Sequence, residues 1–151
     1  MNKNEKLAPH FSLGEMTRTS VGLPNVPNAA QTENLMRLCS WLEMLRSEWN
    51  RRYGEGDDPI IINSGFRSQA VNRAIGGVST SNHLTGCAAD IRVSGMEQAL
   101  RYAVILLDIS DEEGKDFDEL LLERNARGIY WIHFAVRPKD NRRKVRFLQS
   151  N

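Results

Sequence analysis

The chain carries three histidines, His10, His83 and His133. Two of them stand where metal chemistry is a natural reading. His83 lies in Ser81-Asn82-His83-Leu84-Thr85-Gly86, a small, polar, turn-like stretch, and Asp90 follows seven residues later, where the sequence turns apolar. His133 lies in "YWIHFAV", a strand-like run near the other end of the chain. Imidazole nitrogen and carboxylate oxygen are both good zinc ligands, and catalytic zinc sites take three protein ligands and leave a fourth position open. His83, Asp90 and His133 would supply two nitrogens and one oxygen. Donors this far apart in sequence converge only in a folded core. Spacing alone does not single out the set, because there is no short His-x-x-His pair, and His133 taken by itself is better explained as a satisfied core histidine. His10 falls in the N-terminal segment and reads as a surface residue.

Rigid elements must position these donors. Residues 1–31 form a Pro/Asn/Thr-rich arm whose Phe11, Leu13 and Met16 can dock on a body spanning 32–151, the whole making a single domain. Asn28 as N-cap with Gln31 three residues on predicts a helix start. Leu35, Leu38, Leu42, Leu45 and Trp49 then recur at helical spacing over about five turns, and "GEGDD" (54–58) ends the run. "PIIINSGF" (59–66) suits a buried strand. Ser68 caps a short helix that Gly76 or Gly77 terminates. "CAADIRV" (87–93) reads as a second strand, with Asp90 and Arg92 on one face and Ala89, Ile91 and Val93 on the other. Ser94 and Glu97 predict a capping box for a helix carrying Ala99, Leu100, Ala103, Val104 and Leu107, followed by an acidic loop, "DISDEEGKD" (108–116).

"FDELLLE" and "IYWIHFAV" read as a hairpin joined by "RNARG" (124–128), with "KVRFLQ" (144–149) as an edge strand. That turn sets Glu123 opposite Ile129 and Glu119 opposite His133. Alternation puts Glu119, Leu121 and Glu123 on the face of Trp131 and His133, so two carboxylates compete as proton acceptor beside the candidate metal site. Trp131 can form a wall of a cleft there or simply pack; Tyr130 points the other way. Helices and an antiparallel sheet in separate blocks give an α+β class, a small antiparallel sheet packed against helices.

Composition excludes more than it selects. The formal net charge is +1 over 151 residues, which gives no pull toward nucleic acid or membrane. The one basic cluster, Arg137–Arg146, reads as a solvated charge run, with contact to phosphate or teichoic acid as the sharper alternative. Two cysteines are not a disulfide framework. Cys39 on the apolar stripe and Cys87, alternating away from Asp90, both read as buried inert thiols. "MNKNEKLAPHF" has no apolar signal core, and no run is long enough to span a bilayer. The expectation is a monomer that is cytoplasmic as synthesised.

The motif wording narrows the field. Ser81, His83, Gly86, Ala88 and Asp90 fill every fixed position of S-x-H-x-x-G-x-A-x-D, and the stretch resembles the signature of zinc D-Ala-D-Ala peptidases. These form metallopeptidase family fifteen, which shares its fold with the hedgehog signalling domain. "SGFRSQAVNRAIGG" (64–77) resembles the segment that precedes the signature in the phage-like branch. "FDELLLE" followed by "WIH" is similar to that branch's C-terminal block, and the "NVPN" loop with its helix also fits. The resemblance runs over roughly 10–136.

It implies His83, Asp90 and His133 as zinc ligands. Arg67 becomes a substrate-binding and catalytic residue that takes a carboxylate two-pronged or polarises a carbonyl, with an arginine capping surface carbonyls as the plain alternative. Ser81 matches the signature serine, a loop, ligand or substrate contact, with a plain turn-former as the alternative. Several relatives place an acid three residues before the last histidine, where this chain has Tyr130. The branch carries a glutamate at the position of Glu123, which favours Glu123 as general base and leaves Glu119 as a rival or a support for a ligand. The implied activity is a zinc peptidase cleaving peptidoglycan stem peptides, at D-Ala-D-Ala or L-Ala-D-Glu bonds, in a phage, prophage or recycling context. The alternative is a non-catalytic zinc-containing module that binds cell wall or another phage protein, kept open by the missing acid at position 130.

Overall fold

The computed structural model describes residues 1–150. The arm forms a small hairpin, β1 (Lys6–Ala8) and β2 (Phe11–Ser12), and one helical turn, α1 (Leu13–Met16). Phe11, Leu13 and Met16 are buried in the core, so the arm docks as expected. The long helix α2 (Ala29–Arg52) opens on a complete capping box: Asn28 Oδ1 accepts from Gln31 N–H at 2.8 Å, and Gln31 Oε1 accepts from Asn28 N–H at 2.8 Å. Two of the four orphan amides of the first turn find partners this way. Leu35, Leu38, Leu42, Leu45 and Trp49 are all buried along its inner face.

After β3 (Ile62–Ser64) and the short helix α3 (Gln69–Ala74), a 3₁₀ turn spans Asn82–Thr85 and leads into β4 (Ala88–Arg92). Helix α4 (Met96–Glu113), the strands β5 (Glu119–Arg124) and β6 (Tyr130–Ala135), and β7 (Lys144–Gln149) complete the chain. The main sheet has the order β3-β4-β6-β5-β7. Its pairs are antiparallel except β5–β7, which is parallel, so the sheet is mixed at one edge. Helices α2 and α4 pack on one face, where Ile91, Ile132, Phe134, Leu120 and Leu122 are buried with them. Trp41 stands 5.3 Å from Phe134 between ring centroids, and Trp49 meets Tyr102 edge-on at 5.1 Å. The residues alternating with these, among them Asp90, His133, Leu121 and Glu123, face away from the helices. Among the described residues no helix is long and apolar enough to cross a membrane.

Four details differ from the sequence reading. Gly95, extended at φ 167°, is the N-cap of α4, and no side chain caps it. The helix starts one residue too late for a Ser94–Glu97 box, and Ser94 N–H donates instead to Gln98 Oε1 at 2.7 Å. Helix α4 also absorbs most of the acidic run, because Ile109 and Ser110 fall on its buried face, and it ends at left-handed Gly114. The strand expected over 59–66 shrinks to three residues, since its pairing with β4 is irregular after Ile62. The β5–β6 turn is Asn125–Ile129 rather than 124–128: Asn125 N–H donates to Ile129 O at 3.0 Å, while Asn125 Oδ1 accepts from the amides of Arg127 and Ile129. Glu123 therefore pairs with Trp131, and Leu121 rather than Glu119 pairs with His133. The slip is two residues, so every side chain keeps its face.

Candidate metal centre

Three elements bring the donors together. The 3₁₀ turn presents His83, held at its start by Ser81 Oγ, which accepts from His83 N–H at 3.2 Å. Gly86, left-handed at φ 77°, closes that turn, and a Cβ there would stand 2.5 Å from Gln31 O, so only glycine lets the turn lie on α2. Strands β4 and β6 set Asp90 directly opposite His133. His83 Nε2 lies 3.4 Å and His133 Nδ1 3.1 Å from Asp90 Oδ1, and one donor atom from each residue falls within 4.8 Å of the others.

Both rings are oriented from behind. His83 Nδ1–H donates to the Gly65 carbonyl at 2.7 Å, which leaves Nε2 aimed at Asp90. Gly65 itself packs against the Met16 carbonyl too closely for any side chain. His133 Nε2–H donates to Glu119 Oε1 at 2.9 Å, which leaves Nδ1 inward. Imidazoles fixed by a carbonyl or a carboxylate on the far nitrogen are the usual support of metal-binding histidines. Two nitrogens and one carboxylate oxygen, nearly buried, with the fourth side open to a cleft, fit a zinc ion. Burial alone would raise the Asp90 carboxyl, but hydrogen bonds from His133 and His83 outweigh it and hold it well below the usual range. Burial alone would lower His133; Asp90 and Glu119 instead hold its proton up to about 9. A metal ion has to displace that proton.

The cleft beside the triad has a volume of about 610 Å³, and Arg67, Ser81, Glu123 and Trp131 all line it. Among the described residues Glu123 accepts a single hydrogen bond, from Trp131 Nε1–H at 3.1 Å. Burial and the Asp90 charge push its carboxyl above the ordinary value. Arg67 follows β3, and its backbone N–H donates to the His83 carbonyl at 3.0 Å. Its Nη2 reaches Ser81 Oγ at 3.4 Å, whereas its buried Nε has no partner among the described residues. Burial lowers its pKa against the opposing charges of Asp90 and Glu123. Tyr130 packs against the helix-side core, and His10 lies at the surface against Glu43. Cys39 and Cys87 are buried thiols, burial raising both and lifting Cys39 to about 12.

Sequence reasoning missed the support behind Glu119. Asn82 Nδ2–H donates to Glu119 Oε1 at 2.6 Å and to Asp118 Oδ2 at 2.8 Å. Asp118, fully buried, also accepts a two-pronged contact from Arg142 and an ion pair from Arg137 at 3.2 Å. Burial would raise the Asp118 carboxyl, but the Arg142 contacts bring it down to about 2. The signal for Asn82 was its place between two fixed signature positions. Nothing in the strand-like run "FDELLLE" marked Asp118 as the acid of a buried ion-pair network.

The Peptidase M15 family model matches residues 9–113, well over half of the chain. The chain belongs to the peptidase M15 family. A 40-residue stretch is 50% identical to the zinc D-Ala-D-Ala carboxypeptidase of Streptomyces albus G, covering 26% of this chain and 16% of that protein. The chain therefore aligns with about a sixth of that relative. The M15 match takes in Arg67, Ser81, His83 and Asp90 but ends before β5, so it does not reach Glu119, Glu123, Trp131 or His133, which the β4–β6–β5 pairing brings to the site.

Proposed function

We propose that this M15 chain is a zinc-dependent peptidase that cleaves peptidoglycan stem peptides, with His83, Asp90 and His133 as the zinc ligands. The observation that carries the reading is one cleft holding that triad, a carboxylate with a raised pKa and a half-buried arginine whose Nε has no partner among the described residues. The carboxypeptidase relative supports the choice of zinc and of a D-Ala-D-Ala-type substrate. Bound zinc supplies a Lewis acid and lowers the pKa of a water molecule.

The chain's own residues supply the rest. Glu123, whose hydrogen-bond partner is the neutral Trp131 indole rather than a cation, takes a proton from the attacking water and passes it to the leaving amine; a base poised nearer neutrality does this best. Arg67 binds a substrate carboxylate or the developing oxyanion with paired N–H groups. Ser81 fixes both the His83 turn and the tip of Arg67. Trp131 holds Glu123 and walls the cleft. Glu119 keeps the His133 ring in place.

The test is digestion of purified peptidoglycan and of synthetic D-Ala-D-Ala and L-Ala-D-Glu peptides, before and after chelation and zinc restoration. The proposal expects one zinc per chain and a single new amine terminus that chelation abolishes and zinc restores. Zinc retention with no cleavage of any wall type would replace the enzyme by a zinc-containing binding module.

A further inference from the structure

We infer that β7 is a second anchoring strip of the cleft, where Lys144 and Arg146 receive a carboxylate of the bound peptide two to three residues from the scissile bond. The inference rests on the peptidase reading above. The strand register lays straight rows across the site face of the sheet. Asp90 pairs with His133, His133 with Leu121, and Leu121 with Arg146. In the neighbouring row Glu119 pairs with Lys144. Adjacent strands stand about 4.8 Å apart, so Arg146 lies roughly 10 Å from His133, a span an extended peptide covers in about three residues. Lys144 and Leu148 line the cleft wall, and Arg146 sits between them on the same face.

The charge on this strip is unspent. Arg142 and Arg137 are committed to Asp118, and Arg143 to Asp111 and Asp116. Lys144, half-buried, and Arg146, exposed, have no side-chain partner among the described residues. On the other side of the triad Arg67 likewise lacks a carboxylate. The cleft thus has free cations at both ends, and its carboxylates, Asp90, Glu119 and Glu123, are grouped at the centre. A short peptide with one carboxylate for Arg67 and a second for β7 satisfies both ends. Two free cations on one strand are few for a phosphate polymer, whose binding grows with every charge neutralised.

The experiment compares two peptides that differ only in an acid or its amide two or three residues before the scissile bond. Turnover is measured on zinc-loaded protein and binding by calorimetry, for wild type and the double variant Lys144→Gln/Arg146→Gln. Wild type should favour the acid about two- to fivefold, the worth of a partly exposed ion pair, and through KM rather than kcat. In the double variant, checked for an unchanged melting temperature, the acid-to-amide ratio should fall toward one. Equal KM values in wild type, a ratio that survives the double substitution, or a loss carried by kcat would overturn the inference. So would β7-dependent binding of a glycerol-phosphate oligomer without acid preference. If wild type cleaves neither peptide, the peptidase reading fails, and the calorimetric ratio alone decides the strip.

Discussion

The two ends of β5 carry the same side chain in opposite circumstances. Glu119 and Glu123 share one strand and one face, yet His133 and Asn82 donate to Glu119 and bring its carboxyl down to about 2, while burial and Asp90 push Glu123 up. At the Glu119 end, Asp118, Arg137, Arg142 and Asn82 close a network in which the buried oxygens find partners. At the Glu123 end, the cleft is open and the only hydrogen-bond partner among the described residues is an indole N–H. Residue type does not set the two carboxylates apart; their neighbours do.

Breaking the closed end should have the largest effect. Asp118→Asn leaves Arg142 and Arg137 facing a neutral amide and should destabilise the fold by about 3 kcal/mol, the usual cost of removing one partner of a buried pair. The sign with pH follows from the lowered carboxyl. Its contribution is full above the unfolded value, about 3.9, and is lost as pH falls toward about 2; acid unfolding of wild type and Asp118→Asn should converge in that window. At the open end, Arg67→Lys should keep the fold and lose on the order of 10²-fold in turnover, because an ammonium cannot reproduce a planar two-point contact; steady-state rates check it. Glu119→Gln should weaken zinc about 10- to 100-fold by loosening the His133 ring, measured by competition with a chelator. The smallest effect sharpens the contrast from the other side. Glu123 with its raised carboxyl binds protons more tightly folded than unfolded, so its contribution falls as pH rises past the unfolded value. Glu123→Gln should therefore stabilise the protein slightly near neutrality, by under about 1 kcal/mol once partial exposure is allowed for, seen as a small rise in Tm.

The contrast also shows where sequence reasoning reached and stopped. Helix α2 was legible to the residue at its start, because a capping box and a leucine stripe are local signals. The α+β class followed from the blocks of elements. The end of the acidic run was not legible, since burial of Ile109 depends on tertiary packing. His83 and Asp90 fall in one short motif, but their meeting with His133 required the β4–β6 pairing. The hairpin slipped by two because Asn125, with a side chain that accepts two turn amides, starts the loop one residue later than a reading from Arg124. Even parity preserved the face and so the choice between two glutamates, though it moved Glu123 to Trp131 and Glu119 to Ala135. The Asp118 network was invisible because its members lie far apart in sequence and carry no pattern.

The most direct test of the account puts Glu123→Gln beside wild type, with zinc content and turnover measured on the same samples. The account predicts one zinc per chain in both and a loss of turnover on the order of 10²–10⁴ in the variant, the worth of a positioned acid–base group. Wild-type turnover in the variant, or zinc lost together with activity, would contradict it, and the proton-transfer role would pass to Glu119.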